Sequence, residues 1–368
     1  EPEHKKPDSP YQLVDPGDII VRCTDLQNDQ TSLRIGLAKN KGIITSAYLN
    51  LKVNQGYDAC YMHYYLHALD TSKVLYKFGT GLRQNLSFVD FKRLPVLDIP
   101  FEWQVDIAKF LDKKTTQIDE AIAIKEQQIA LLKERKQIII QKAVTQGLDP
   151  TVLMKDSGVD WIGEIPAHWE VESNRSLFSE RVEPGREDLP LLSVSIHSGV
   201  SVDEVSEEDN IRGRVKIQDK SKYVLVNKGD IAFNMMRAWQ GGIGAVAADG
   251  MVSPAYIVAQ PKGRVLADFF ELQYRCPEFI QQMDRYSKGI TDFRKRLYWD
   301  SFKQLKTVVP PRPEQIEIIK YVKNLTEASD STSDLLATQI ERLKEYKTTL
   351  INSAVTGKIL ITPDMVEA

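Results

Sequence analysis

At 368 residues, with 42% hydrophobic and 27% charged side chains, the chain has the make-up of soluble proteins and room for two domains. A near balance of 48 basic and 51 acidic residues excludes a uniformly basic coat for nucleic acid, and the lack of an apolar run near roughly 20 residues excludes a membrane-spanning helix. Three scattered cysteines (Cys23, Cys60, Cys276) without a C-x-x-C exclude a disulfide framework and a zinc site, and fit a reducing cytoplasm.

The first patterned stretch is Tyr11-x-Leu13-Val14-x-x-Gly17-Asp18-Ile19, and it returns 212 positions later as Tyr223-x-Leu225-Val226-x-x-Gly229-Asp230-Ile231. Ile35-Gly36 and Gly42-x-x-x-x-Ala47-Tyr48 return 208 positions on, as Ile243-Gly244 and Gly250-x-x-x-x-Ala255-Tyr256. From Phe91-Lys92 onward the offset is 211. It carries Pro100 to Pro311, Gln104 to Gln315, Lys133-Glu134-Arg135-Lys136 to Lys344-Glu345-Tyr346-Lys347, and Ala143-Val144-Thr145 to Ala354-Val355-Thr356. Solenoid units run to about 20–50 residues, so this period describes a whole domain with its connector, used twice.

Ala59–Leu69 reads as a helix. His63 and His67 sit one turn apart on it, but no HExxH glutamate accompanies them and their counterparts are Glu271 and Arg275, so they read as ordinary side chains. Residues 71–93 then gather Lys73, Lys77, Arg83, Lys92 and Arg93 against Asp90 alone. The first domain, residues 1–100, has ten residues ahead of Tyr11 where the second copy has Glu170–Ser221 ahead of Tyr223. It is therefore expected to be incomplete at its N-terminus.

Gln104 to Gln146 holds neither Gly nor Pro. Leu111, Ile118, Leu132 and Ile139 mark one heptad position and Ile122, Ile129 and Ala143 the other, interrupted by Thr115, Lys125 and Lys136. Gly147 supplies the stop and Pro150 follows, so residues 101–147 form a first spacer helix, a rod of about 60 Å. Residues 148–311 form the second domain. In it Lys222–Val226, Asp230–Phe233 and Tyr256–Ala259 read as strands and Ala267–Arg275 as a helix, an α+β pattern. Residues 288–306 repeat the basic cluster with Lys288, Arg294, Lys295, Arg296, Lys303 and Lys306. The second rod starts after Pro310-Pro311-Arg312-Pro313 and stops at Gly357 (domain bounds 312–357). Its seam is Val322, Leu336, Ile340, Leu343, Leu350 and Ala354, broken by Thr326, Ser329, Ser333 and Lys347, and residues 358–368 form a tail. Two such seams in one chain bury each other as an antiparallel coiled coil, the pseudo-two-fold partner of the duplicated domains.

Catalytic signatures are missing. The sequence has no G-x-x-x-x-G-K-[ST] and no [DN]-P-P-[YF], and its carboxylates and histidines form no recognisable acid/base set. Gly241-Gly242-Ile243-Gly244 reads as a hairpin turn, because no helix signal follows it. The loops offer better chemistry. Arginine reads guanine and Asn or Gln reads adenine in the major groove, which suits Arg83, Gln84 and Asn85. Lys288, Lys295 and Arg296 suit phosphates, and Thr291 and Arg294 lie in the same loop. A second pair of loops carries Asn234, Arg237 and Gln240 in one copy and Arg22, Gln27 and Asn28 in the other, its flanks matched and its interior divergent. Ser195 and His197, by the Leu191–Ser195 run, complete the DNA-binding candidates.

Several stretches together resemble the specificity (S, HsdS-type) subunit of bacterial type I restriction-modification systems. They are Gly158-Val159-Asp160-Trp161-Ile162-Gly163-Glu164-Ile165-Pro166-Ala167-His168-Trp169, Leu191–Ser195, Arg237-Ala238-Trp239-Gln240-Gly241, Val252-Ser253-Pro254-Ala255-Tyr256, the Pro310–Gln315 helix start and the Ala354-Val355-Thr356-Gly357 exit. The resemblance implies two α/β target-recognition domains held apart by two long helices. Each domain reads half of a bipartite site in double-stranded DNA, and the rod sets the unread spacer. It further implies two methyltransferase (M) subunits docked on the helices and supplying S-adenosylmethionine, restriction (R) subunits supplying ATP and Mg chemistry, and no cofactor or catalytic residue on this chain. The alternative is the C-terminal recognition portion of a fused restriction-methylation enzyme.

Overall fold

The computed structural model describes residues 11–24, 33–77, 88–196, 198–202, 222–289 and 295–367. They fall into two compact units, residues 1–129 with 334–368, and residues 130–333. In the first unit strands β1 (Tyr11–Val14), β2 (Ile19–Arg22), β3 (Ile35–Leu37), β4 (Gly42–Thr45) and β5 (Tyr48–Leu51) precede helix α1 (Ala59–Thr71). Helix α2 (Phe101–Gln146) is the first long helix. The second unit runs through β6 (Met154–Asp156), β7 (Glu164–Pro166), β8 (Glu170–Ser173), β9 (Phe178–Arg181), β10 (Leu191–Ser195) and β11 (Gly199–Val202). It continues with β12 (Val224–Val226), β13 (Ile231–Asn234), β14 (Ile243–Ala245), β15 (Gly250–Val252), β16 (Tyr256–Pro261), helices α3 (Ala267–Tyr274) and α4 (Pro277–Tyr286), and β17 (Lys306–Val309). Helix α5 (Arg312–Val355) is the second long helix, and α6 (Pro363–Glu367) ends the described chain.

The repeat holds at the level of strand register. In the first unit Ile19, Ile20 and Val21 pair with Leu37, Gly36 and Ile35; in the second Ile231, Ala232 and Phe233 pair with Ala245, Gly244 and Ile243. β2 pairs with β5 as β13 pairs with β16, so that Arg22 faces Tyr48 and Asn234 faces Tyr256. The turn before each hairpin is also repeated. Gly17 (φ 92°) and Gly229 (φ 88°) take a left-handed conformation that side chains resist. Beside them Asp18 and Asp230 accept from the backbone N–H of Asp15 (3.0 Å) and Asn227 (2.9 Å).

Each long helix leaves its domain through a buried glutamine. Gln104 Nε2 donates to the carbonyls of Ile99 (2.9 Å) and Gly56 (3.3 Å), and its Oε1 accepts from Asp58 N (2.9 Å). Gln315 Nε2 donates to Pro310 (2.9 Å) and Arg264 (2.9 Å), and its Oε1 accepts from Leu266 N (2.8 Å). Both side chains are fully buried, and each satisfies three backbone groups. The helix ends are held likewise. Tyr61 Oη donates to the Val355 carbonyl (3.3 Å) and Gln273 Nε2 to that of Val144 (3.2 Å). Gly147 and Gly357 follow with φ of 79° and 73°, the expected helix stops.

The two long helices run antiparallel as a coiled coil. In the first unit Lys347 Nζ reaches both oxygens of Asp119 (2.8 and 2.6 Å), and Lys125 Nζ donates to Gln339 Oε1 (2.7 Å). In the second unit Lys136 Nζ donates to Asp330 Oδ1 (2.6 Å). The lysines that interrupt the seam in the sequence are thus cross-helix donors, with their stems along the apolar contact and their heads bonded. The second rod begins at Arg312, and Pro313 is tolerated in its first turn because a proline there lacks only an N–H that would be unpaired anyway.

Two cores follow. One gathers Ile19, Val21, Tyr61, Tyr65 and Leu75 with Phe110, Leu111, Ile118, Leu350, Ile351 and Ala354. Residues 358–367 do not trail away from it: Ile359, Ile361, Met365 and Val366 pack against it, and Lys113 Nζ donates to Glu367 O (3.2 Å). The other centres on Trp169, Phe178, Phe233, Phe270, Tyr274, Phe279 and Phe302, with Ala143, Val144, Ile318 and Val322. There His168 Nε2 (2.7 Å) and Trp169 Nε1 (2.8 Å) grip the carboxylate of Glu314 in the first turn of α5, where a helix favours negative charge.

Replacing Gln315 by alanine removes its bonds to Leu266 N–H and to the Arg264 and Pro310 carbonyls, the last of them buried. We expect a loss of about 2–4 kcal/mol from the second unit, measured by urea unfolding followed through hydrogen exchange of β13.

Candidate nucleic-acid interface

In the second unit the predicted loops meet. β13 and β14 are joined by residues 235–242, and the turn is built from within. Asn234 Oδ1 accepts from Met236 N (3.0 Å), Arg237 Nη1 donates to Gln240 Oε1 (2.8 Å), and Trp239 Nε1 donates to Met236 O (3.0 Å). Gly241 has φ 88°, and a Cβ on Gly242 would stand 2.9 Å from the Arg237 carbonyl, so the two glycines form the hairpin turn read from the sequence. Lys288 and residues 295–297 come alongside. Lys288 and Arg296 form an antiparallel bridge, their N–H and C=O groups exchanging two bonds of 2.9 Å, and Leu297 N donates to Met235 O (2.9 Å). Lys295 Nζ binds Asp284 Oδ1 (2.7 Å) and lies 5.1 Å above the Trp239 ring.

The outcome is a cluster in which Arg237 and Lys288 stay exposed, while Lys295 braces the two loops. Arg296 is half-buried, and its Nη1 is a buried donor with no hydrogen-bond partner. Asn234 and Gln240 contribute to turn geometry as well as to the loop's polar surface. Sequence reasoning missed these bracing roles; the aromatic-to-lysine contact joins positions 56 apart and leaves no local pattern.

Ser195 closes β10, where its Oγ accepts from Ser198 N (3.3 Å). The turn after it is tied to α3: Arg275 Nη2 donates to Ile196 O (3.1 Å), Arg275 pairs with Glu271 (3.2 Å), and Glu271 Oε2 accepts from Ala245 N (2.9 Å). Burial pushes the Glu271 carboxyl up. Ile196 and Gln240 both line a 460 Å³ cleft that also takes in Gln137 and Ile140 of α2. The β10 turn, the β13–β14 loop and a long helix therefore converge within this unit.

In the first unit Arg22 ends β2 opposite Tyr48, and its N–H donates to Arg34 O (2.8 Å), as Asn234 N donates to Gly242 O (2.9 Å). The loop after Arg22 thus leaves from the strand end that matches the β13–β14 loop. Gln27, Asn28, Arg83, Gln84, Asn85, His197, Thr291 and Arg294 lie outside the described residues. Among the described residues no group of three or more His, Cys, Asp and Glu could hold a metal ion, and no helix is long and apolar enough to cross a membrane.

The comparisons agree with this architecture. No protein-family model matches the chain. A chain from a structure of the complex assembly and conformational transition of the type I R-M system superposes with a TM-score of 0.65, at 13% identity, over 97% of this chain and 86% of that one. The crystal structure of the HsdS subunit from Thermoanaerobacter tengcongensis gives 0.55, also at 13% identity, over 96% and 84%. The type I restriction enzyme EcoBI specificity subunit of Escherichia coli is 26% identical over 277 residues, 71% of this chain. In sequence the chain is similar to that specificity subunit, and its fold is that of the two solved structures. The match spans 57% of the EcoBI subunit's length.

His63 and His67 of the first unit lie with ring centroids 6.2 Å apart. Burial, reinforced by His67, pushes the His63 imidazole down to about 4 from an ordinary value of 6.5. A folded-state value below the unfolded one means that stability is full above pH 6.5 and is lost as pH falls towards 4. We expect exchange protection of β2 to fall across that window and the fall to flatten in His63→Gln.

Proposed function

We propose that the chain is the DNA-specificity subunit of a type I restriction-modification complex, non-catalytic itself and acting in the cytoplasm. The observation that carries this reading is one repeated strand frame whose sequence diverges beyond equivalent strand ends, after Arg22 in one copy and through Arg237 in the other, in a chain with the fold of specificity subunits. Each recognition domain reads one half of a bipartite site in double-stranded DNA. Arg237 and Gln240 of the second unit, with Thr291, Arg294 and Ser195 or His197, supply base contacts; Lys288, Lys295 and Arg296 supply phosphate contacts. In the first unit Arg22, Gln27, Asn28, Arg83, Gln84 and Asn85 play the same parts.

The helical pair sets the unread spacer and docks two methyltransferase subunits, which bring S-adenosylmethionine; restriction subunits bring ATP and Mg. No cofactor is held by this chain. Chemistry supports that division, because the loop cluster offers donors and cations but no paired acid and base. Arg237, exposed and held by Gln240 at 2.8 Å, is presented as a planar donor of the kind that reads guanine.

The test is binding of cognate duplex by the complex with its methyltransferase subunits. Affinity falls steeply with salt, with a log–log slope set by the number of phosphates contacted. Arg237→Ala costs about 1–3 kcal/mol and relaxes base preference in one half-site, whereas Lys288→Ala weakens all duplexes alike and lowers the salt slope by about 1. Salt-independent binding, or unaltered base preference in the Arg237 variant, contradicts the assignment.

A further inference from the structure

In both units a helix packs on the repeated hairpin at the same register. Ala59 and Ala267, 208 positions apart, begin α1 and α3, as Ile35 and Ile243 begin β3 and β14. One place under the hairpin is nonetheless filled by unlike chemistry. It holds His63 and His67 in the first unit and Glu271 and Arg275 in the second. The strand pairing is the same in both, so the repeated frame accepts either pair of side chains. What the glutamate and arginine add belongs to the second unit alone.

The two charges tie together segments that no ladder joins at that point. Glu271 Oε2 accepts from Ala245 N (2.9 Å), on the strand that leaves the β13–β14 loop. Arg275 Nη1 meets Glu271 Oε1 (3.2 Å), and its Nη2 donates to Ile196 O (3.1 Å), next to Ser195 in the turn between β10 and β11. The side chains of Glu271 and Arg275 are 24% and 23% exposed, so salt screens the pair only weakly. Chain crossing there is close. A Cβ on Gly199 would stand 2.9 Å from Arg275 Nη1 and would crowd the Glu271 carboxylate, and one on Gly244 would stand 2.8 Å from Val200 N. Two glycines therefore let β11 lie directly against β14 and against the ion pair. Gln240 and Gly241 of the β13–β14 loop line the same cleft as Ile196, Glu271 and Arg275.

We infer that Glu271 and Arg275 are positioning residues for base reading by the second unit, fixing the β10–β11 turn against the β13–β14 loop. They act through that turn and loop rather than by contact with DNA. A hydrogen bond weakens steeply as its angle opens, so donors on two segments discriminate bases only if their separation is fixed before contact. One ion pair bonded to both segments supplies that separation. The inference deepens the DNA-reading assignment and rests on it.

The experiment uses the complex with its methyltransferase subunits, the duplex carrying the motif that this complex methylates, and single-base variants of each half. Arg237→Ala identifies the half read by the second unit; if it relaxes neither half, the DNA-reading assignment fails and takes the inference with it. Arg275→Ala is expected to reduce discrimination in the identified half about tenfold, comparable to losing one good base contact. Glu271→Gln gives a smaller loss, because its amide oxygen still accepts from Ala245 N. Preference in the other half, the salt slope and exchange protection of β13 stay unchanged. Gly199→Ala, which presses on the pair from β11, gives the same pattern, and combined with Arg275→Ala it costs no more than either alone. A merely structural role predicts equal weakening on every duplex together with lost protection of β13. That outcome overturns the inference, as does undiminished discrimination by Arg275→Ala in a complex that Arg237→Ala does relax.

Discussion

Everything in the chain depends on the junction at which a long helix leaves a domain. The backbone around such a junction lies outside any helix or strand ladder, and its N–H and C=O groups need other partners. Gln104 and Gln315 resolve this with one side chain each, bonded to the strand–helix connection on one side and to the carbonyl of a residue just before the helix on the other. Three bonds to backbone tie each helix start to that connection. The helix ends are held by Tyr61 and Gln273, so each core is sealed by the start of one long helix and the end of the other. Each compact unit is accordingly discontinuous in sequence or bounded by both helices.

With that frame fixed, the loops are released from holding the fold. The hairpins β2–β3 and β13–β14 keep one register, yet the residues between their strands differ in length and chemistry. On the proposed reading, this is how one scaffold presents two different sets of donors to DNA. The cluster in the second unit is stiffened from within by the Arg237–Gln240 bond, the Lys295–Trp239 contact and the Lys288–Arg296 bridge. Stiffness matters there, because base discrimination requires donors already aimed before contact.

Much of this was legible in the sequence because it is periodic or repeated. The heptad positions of both rods, the glycine stops and the strand pairs appear as fixed spacings, and the offsets of 208, 211 and 212 gave the register of one unit from the other. What stayed hidden was chemistry between distant residues. Lys125, Lys136 and Lys347 read as flaws in a seam and are its cross-links, because each partner lies on the other helix. Glu314 gave no hint that His168 and Trp169 would share it.

The central claim is that one frame, used twice, reads two half-sites. Single-molecule methylome sequencing of a host carrying this chain with its methyltransferase subunits tests it most directly. The account predicts a methylated motif in two unlike parts separated by a gap of fixed length, lost when the gene for this chain is deleted. A single uninterrupted motif, or methylation that persists without the chain, would contradict it.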